Sequence, residues 1–332
     1  MPFIPCASAF RDEIQERGGA PTGYQVPMTT PSLDLPDGYS ARPLTMDDVA
    51  AVTALVAAEE LLDLGEVAIE EADYVSDWQK PSFDLASQAI SIWHGDDIVG
   101  FAQVDTDRGD AAVHPDHRGR GLGTTLAGWM QASARAQGMS VIGAPVVQGK
   151  AGDQLLEKLG YRVRWTSWVL ELLDGATIPE RPLPEGYAVR EATPDDHEAV
   201  WTVTEDAFLE WSDRDRQTFE DWQATVLDRP GFEPWHLRVV TDPSGAVVAT
   251  ANITMNRDSE PWCAYIARLA TNKDQRNRGL AQALLVDAFA VGREHGAGRS
   301  ELSTDSRTGA LGLYENVGMS VTSVWVNRAK DL

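Results

Sequence analysis

Two short stretches of this 332-residue chain place glycines and arginines where main-chain N–H groups could hold an anion. In the later one, Gln275-Arg276-Asn277-Arg278-Gly279-Leu280-Ala281 follows a strand-like run, Ala264 to Ala270. It opens a segment in which Leu280, Leu284 and Ala288, with Leu285 and Phe289, recur at helical spacing. A strand, a tight turn and a helix start gather unpaired N–H groups and the positive end of a helix dipole at one point. Gly279 lets the backbone approach a ligand, Ala281 is too small to block it, and Arg276 and Arg278 add charge at the rim. The ligand that suits such a cradle is a pyrophosphate.

The same device occurs earlier. Asp116-His117-Arg118-Gly119-Arg120-Gly121-Leu122-Gly123-Thr124 follows Ala111-Ala112-Val113 and opens a segment with Leu122, Leu126 and Met130 on one face. Arg118-x-x-Gly121-x-Gly123 and Arg276-x-x-Gly279-x-Ala281 are one pattern, 158 residues apart (276 − 118). Glycines at 119, 121 and 123 miss the Gly-x-Gly-x-x-Gly spacing of a dinucleotide fingerprint, and neither copy has the Gly-Lys-Ser/Thr of a P-loop. Two phosphate cradles imply a duplicated domain.

The elements that must position the cradles repeat as well. Leu35-Pro36-Asp37-Gly38-Tyr39 matches Leu183-Pro184-Glu185-Gly186-Tyr187 at an offset of 148 (183 − 35), each leading into a strand and a Thr-capped helix start. Leu155 to Tyr161 matches Leu313 to Met319 at 158 (313 − 155), so the second copy carries a net insertion of ten residues (158 − 148) between these points. Strands are expected near 39–44, 88–94, 98–105, 110–114, 140–147 and 162–172, and again near 187–192, 236–241, 246–256, 262–271, 299–304 and 319–329. With the intervening helices this is an α+β, mixed α/β, arrangement. The division expected is a leader over 1–34 with a helical stretch from Phe10 to Arg17, domains over 35–172 and 183–332, and a Gly/Pro-containing linker over 173–182.

Hydrophobic content of 43% and charged content of 24% are those of a soluble globular protein. No apolar run approaches the roughly 20 residues of a membrane span, and the N-terminus lacks a secretory signal, so a cytoplasmic protein is expected. Cys6 and Cys263 form no metal-ligand spacing, and no metal is expected. A net charge of −23 opposes nucleic-acid binding.

These residues resemble the GNAT superfamily of N-acetyltransferases. Both cradles match its Arg/Gln-x-x-Gly-x-Gly/Ala acetyl-coenzyme A motif, and Ala310-Leu311-Gly312-Leu313-Tyr314-Glu315-Asn316-Val317-Gly318-Met319 is similar to its later Ala-x-x-Leu-Tyr-Glu-x-x-Gly-Phe helix. The resemblance covers nearly everything from about residue 37 and is similar to two-domain bacterial acetyltransferases. It implies two tandem domains, each a mixed, mostly antiparallel sheet flanked by helices, and acetyl transfer from acetyl-coenzyme A to a primary amine of a small molecule by direct attack. In this family the strand before the cradle splays from its neighbour. Leu269, Ala270 and Thr271 would then hold the pantetheine and acetyl carbonyl, and Arg276 to Ala281, with Gln275, the pyrophosphate.

By the same resemblance Tyr314 takes the position of the general acid that protonates the departing thiolate; the matched residue of the first copy is Leu156 (314 − 158), which has no proton to give. The second domain is therefore expected to be catalytic. Ser306 stands where many relatives carry a cofactor-contacting Asn. The general base is sought among Glu210, Glu205, Asp213 and Glu260, with Glu210 selected. The first domain retains Val113, Arg118, Gly119, Arg120, Gly121, Leu122, Gly123 and Thr124 as a second coenzyme site. Trp211, Trp222 and Trp262 could line an acceptor channel. Catalysis in the first domain and a non-catalytic coenzyme A sensor remain the alternatives, in a monomer or homodimer.

Overall fold

The computed structural model describes residues 33–172, 175–176, 178–212 and 214–332. The helix expected over Phe10 to Arg17, Cys6 and the candidate base Asp213 lie outside the described residues.

The first half runs β1 (Tyr39–Pro43), α1 (Val49–Asp63), α2 (Glu71–Trp78), α3 (Leu85–Gln88), β2 (Ala89–His94), β3 (Asp97–Asp105), β4 (Arg108–Val113), α4 (Leu122–Ala136), β5 (Val141–Val147), α5 (Ala151–Lys158) and β6 (Arg162–Leu172). The second runs β7 (Ala188–Glu191), α6 (His197–Phe208), α7 (Phe219–Val226), β8 (Leu237–Thr241), β9 (Val247–Asn256), β10 (Cys263–Thr271), α8 (Leu280–Glu294), β11 (Arg299–Asp305), α9 (Leu311–Asn316) and β12 (Ser320–Asp331). The duplication extends to side chains. Thr45 with Asp48, and Thr193 with Asp196, close matching capping boxes, and each Asp is gripped through both carboxylate oxygens by a strand arginine, Arg42 or Arg190. Those guanidiniums hold both carboxyls below the usual carboxylate range.

Among the described residues all twelve strands join one sheet, in the order β1-β2-β3-β4-β5-β12-β6-β11-β10-β9-β8-β7. Only β4–β5 and β10–β11 are parallel. The last strands are exchanged. β6 pairs with β11 from Leu172↔Ser300 to Ser167↔Asp305, and β12 pairs with β5 from Trp325↔Val147 to Asp331↔Val141. Each half completes its sheet with the other's final strand, and β6 and β12 pair with each other at the centre. Neither half is built from one continuous stretch of chain.

The register locates most of the insertion. Gly100 pairs with Val113 and Ala249 with Thr271, so the offset rises from 149 (249 − 100) to 158 (271 − 113) within one hairpin. The longer β9–β10 hairpin reaches the other half: Asn256 Nδ2 donates to the Ala68 carbonyl at 2.9 Å and Arg257 N to Glu70 Oε1 at 3.3 Å.

Helices α4 and α8 lay their apolar stripes on the sheet. Leu122, Leu126 and Met130 bury against Ile90, Val104 and Ile142, and Leu285, Ala288 and Phe289 against Ile253, Ile266 and Leu302. This packing fixes where each helix begins, and so where each cradle points.

Candidate active site

The two cradles share one backbone geometry. Gly279 caps α8 at φ +84° and Gly121 caps α4 at φ +88°. Two residues before each, Asn277 (φ 64°) and Gly119 (φ 76°) are also left-handed, a conformation asparagine tolerates better than most non-glycine residues. Alternation into the left-handed region turns successive N–H groups toward one point, a concavity suited to an anion.

In the second half the sheet opens directly before this cradle. β10 and β11 pair from Cys263↔Arg299 to Ile266↔Leu302 and then separate, with a register shift against β9 between Ile266 and Arg268. Leu269, Ala270 and Thr271 keep their pairing with β9, which leaves their other backbone edge facing the gap. The resulting cleft of about 420 Å³ is within the ordinary range for a small-molecule site. Leu269 to Thr271, Gln275 to Asn277 and Gly279 to Ala281 all line it, and so does Tyr314.

Tyr314 is buried beside Val317 and Met319, and that burial pushes its phenol up to about 12. Leu156, its counterpart, is buried in the first half among Leu126 and Tyr161. Phe208 and Trp211 form another wall of the cleft. Behind them Arg307 stacks between Trp165 of the exchanged strand (3.7 Å to the ring centroid) and Trp211 (5.0 Å), with its guanidinium on Asp305. Arg268 also lines the cleft; burial lowers its pKa to about 10, and Nη2 donates to Thr225 Oγ1 at 3.4 Å. Trp222 is core, 1% exposed, and Trp262 is half-exposed on the long hairpin.

The cradle arginines are tethered. Arg276 donates to Glu210 at 3.0 and 2.5 Å, and Arg278 to the hydroxyl of Tyr187, which itself donates to Gln275 Oε1. In the first half Arg118 grips Glu59 and Asp63, Arg120 donates to the Tyr39 hydroxyl, and His117 Nδ1 bonds that same hydroxyl. Burial pushes Glu59 up to about 7.

The other acidic candidates are placed as follows. Glu205 is buried, held by both Nη atoms of Arg214 and by Gln217 N. Glu260 is exposed in the long hairpin, at the end of β10 away from the cleft. Ser306 faces the exchanged strand: its N–H donates to the Thr166 carbonyl at 2.9 Å and its hydroxyl accepts from Thr166 N at 3.3 Å. The linker arginine Arg181 also lines the cleft; no motif announces it, and only the fold brings it there.

In the first half the splay begins even earlier, since β4 and β5 share the single pair Arg108↔Gly143. Val113, Leu122 and Thr124 sit at the same junction, and a Cβ on Gly123 would lie 2.8 Å from Leu155 Cδ2. Close packing of α5 on α4 is what requires the small residue there.

The residues fit a coenzyme with a thioester arm and a pyrophosphate. Thr271 Oγ1 is buried with no hydrogen-bond partner among the described residues, at the point where cleft and cradle meet. A sheet parted between two parallel strands, with a main-chain anion cradle heading the next helix, twice in one chain, defines a tandem acyl-coenzyme A-dependent transferase. The chain belongs to the acetyltransferase (GNAT) family, whose family model matches residues 55–161 and again 197–319. It is an N-acetyltransferase with two such domains.

Among curated proteins, mycothiol acetyltransferase of Salinispora arenicola is 30% identical over 245 residues, covering 69% of this chain and 77% of that protein. Among solved structures, a GCN5-related N-acetyltransferase from Sphaerobacter thermophilus superposes with a TM-score of 0.70 at 27% identity, covering 90% of this chain and 96% of that one. A tandem GNAT protein from the clavulanic acid biosynthesis pathway shares the fold, with a TM-score of 0.68 at 16% identity, 88% of this chain and 98% of that one being covered. Among the described residues no helix is long and apolar enough to cross a membrane.

Proposed function

We infer that the second half transfers an acetyl group from acetyl-coenzyme A to the primary amine of a small molecule. The observation that carries this reading is the Tyr314/Leu156 difference: at matched positions of the two copies, only the second presents a proton donor, and it does so inside the cleft. The name of the mycothiol acetyltransferase relatives supports a small-molecule acceptor.

Acetyl-coenzyme A supplies an activated thioester carbon when bound. The protein's part is positioning and proton handling. The free backbone edge of Leu269 to Thr271 orients the acyl arm, and the N–H groups of Arg276 to Ala281 receive the pyrophosphate. Hydrogen bonds to charged groups contribute about 1.5–3 kcal/mol each, so several suffice to anchor it. Phe208 and Trp211 exclude water from the acceptor wall. Tyr314, raised to about 12 by burial, stays protonated at neutral pH and can hand its proton to the departing thiolate. Glu210 is the candidate base, on one condition: Arg276 must turn from it to the phosphates. A guanidinium that exchanges one anion for another makes that step possible.

Tyr314→Phe tests the assignment by following thiol release and acetyl-coenzyme A affinity together. We expect turnover to fall about 100-fold or more with affinity within about twofold of wild type. An unchanged rate rejects the second half as the catalytic one. A wild-type chain that binds acetyl-coenzyme A but acetylates no amine identifies a sensor instead.

A further inference from the structure

The strand exchange has a consequence for the segment that joins the halves. β6 ends at Leu172 beside β11, whereas β7 lies at the far edge of the second half, beyond β10, β9 and β8. The linker must therefore cross that half, and it does so over the first turn of α8. Ile178 buries in the core with Phe289, Gln282 Nε2 donates to the Pro179 carbonyl at 2.5 Å, and Leu183 packs on the cluster of Leu280 and Leu284. Between these fixed points Arg181 lies across the cradle: a Cβ on Gly279 would stand 2.7 Å from its Cδ and 2.9 Å from its Nε.

Arg181 differs from the other cations there. Arg276 is committed to Glu210 and Arg278 to Tyr187. Arg278 has no ion pair but donates to the Tyr187 hydroxyl and the Asp274 carbonyl, whereas Arg181 is exposed, lines the cleft and makes no side-chain hydrogen bond or ion pair with any described residue. A protein of net charge −23 repels a polyphosphate at long range, so a free local guanidinium at the cradle matters more than it would elsewhere. The first half has an equivalent strap, in which the Asp34 carbonyl accepts from Thr125 Oγ1 and Leu33 and Leu35 pack on the core. At the repeat offset of 148, the residue matching Arg181 is Leu33 (181 − 148), and no described residue lies within 4 Å of a Cβ on Gly121.

We propose that Arg181, carried over the cradle by the strand exchange, is a side chain that receives the coenzyme's phosphates in the second half without first giving up an ion pair, and that Leu33 in its place makes the first cradle the weaker one. This rests on the reading that the second cradle holds acyl-coenzyme A. The guanidinium offers a planar, bidentate donor to a phosphate, set on a chain segment separate from the main-chain cradle.

Calorimetry on the full chain tests this, with acetyl-coenzyme A and the phosphate-free S-acetylpantetheine as probes and wild type, Arg181→Gln and Arg181→Lys as proteins. The expected result is a Kd for acetyl-coenzyme A raised about tenfold or more in Arg181→Gln, the loss of one charge-assisted hydrogen bond, with a shallower salt dependence and partial recovery in Arg181→Lys. The Kd for S-acetylpantetheine should not move. An unchanged or lower Kd for acetyl-coenzyme A in Arg181→Gln overturns the proposal, and so does equal loss for both probes, which would mean that Arg181 acts through the fold. If the acetyl-coenzyme A site survives Gly279→Glu and disappears with Gly121→Glu, the reading beneath the proposal fails, and the proposal with it.

Discussion

Arg276 Nη1 and Nη2 donate to Glu210 Oε2 and Oε1 at 3.0 and 2.5 Å, so one ion pair ties the cradle to the loop that follows α6. The first half makes the same tie differently, from Arg118 to Glu59 and Asp63 on α1. In both, the motif arginine braces the wall of the site, and it can engage an anion only by giving up that ion pair.

Glu210→Gln separates a tether from a base. If Glu210 is released when Arg276 engages phosphate, the variant should lose turnover at least tenfold in a thiol-release assay while its Kd for acetyl-coenzyme A stays within about threefold. Unchanged turnover would reduce Glu210 to a brace for Arg276.

The contact between Gly279 and Arg181 yields a stability test. Alanine at 121 or 279 takes on left-handed strain of about 1–2 kcal/mol. At 279 it also meets Arg181 Cδ at 2.7 Å, whereas at 121 it meets no described residue within 4 Å. Gly279→Ala should therefore lower the chain's Tm more than Gly121→Ala does, and Arg181→Ala should erase the difference. Equal effects in the wild-type background would show that the strap does not rest on Gly279.

The elements were legible in the sequence, and their partners were not. A short, nearly continuous apolar run places β10, expected over 262–271, within a residue of its observed bounds, Cys263–Thr271, because such a run is a local property of the sequence. Nothing in β6 or β12 says which sheet either joins. Both carry apolar residues that any open edge would bury, and the choice is made by packing over the whole chain. Arg181 was unreadable for the same reason: it acquires a role only because the exchange routes the linker over α8. The ten-residue insertion was legible as a length, but placing most of it in the β9–β10 hairpin needed the register. Tyr314 is distinguished from a helix aromatic only by Leu156 at the matched position of the first copy and by the resemblance to a known family.

The joint between the halves should respond to pH through Glu70. Its carboxyl accepts from Arg229 and Arg257 N, and burial, reinforced by Asp73 and Asp258, raises it from 4.5 to about 7. A raised carboxyl binds its proton more tightly in the folded chain. Its contribution is thus full below about pH 4.5 and is lost as pH rises through about 7. Thermal melts at pH 5 and pH 8 should show a smaller loss on raising pH for Glu70→Gln than for wild type. The difference is at most about 3 kcal/mol, since each tenfold change in proton affinity is worth roughly 1.4 kcal/mol. Parallel losses in the two proteins would show that Glu70 titrates alike folded and unfolded.

The exchange of strands predicts how the chain divides. Residues 33–172 alone would leave β5, Val141–Val147, as an uncovered edge, and β6 without the partners β11 and β12 that bury Val169, Leu170 and Leu172. β6 could repair this only by folding back onto β5 in the place of β12, at the expense of the contacts its side chains are shaped to make. Light scattering after size-exclusion chromatography should therefore find the segment as strand-swapped dimers or larger species, and find a one-to-one complex when residues 175–332 are co-expressed. A stable monomer of 33–172 with a cooperative melt would show that β6 serves either sheet equally well. The exchange would then follow from the covalent linkage of the halves, with no preference of β6 for its present neighbours.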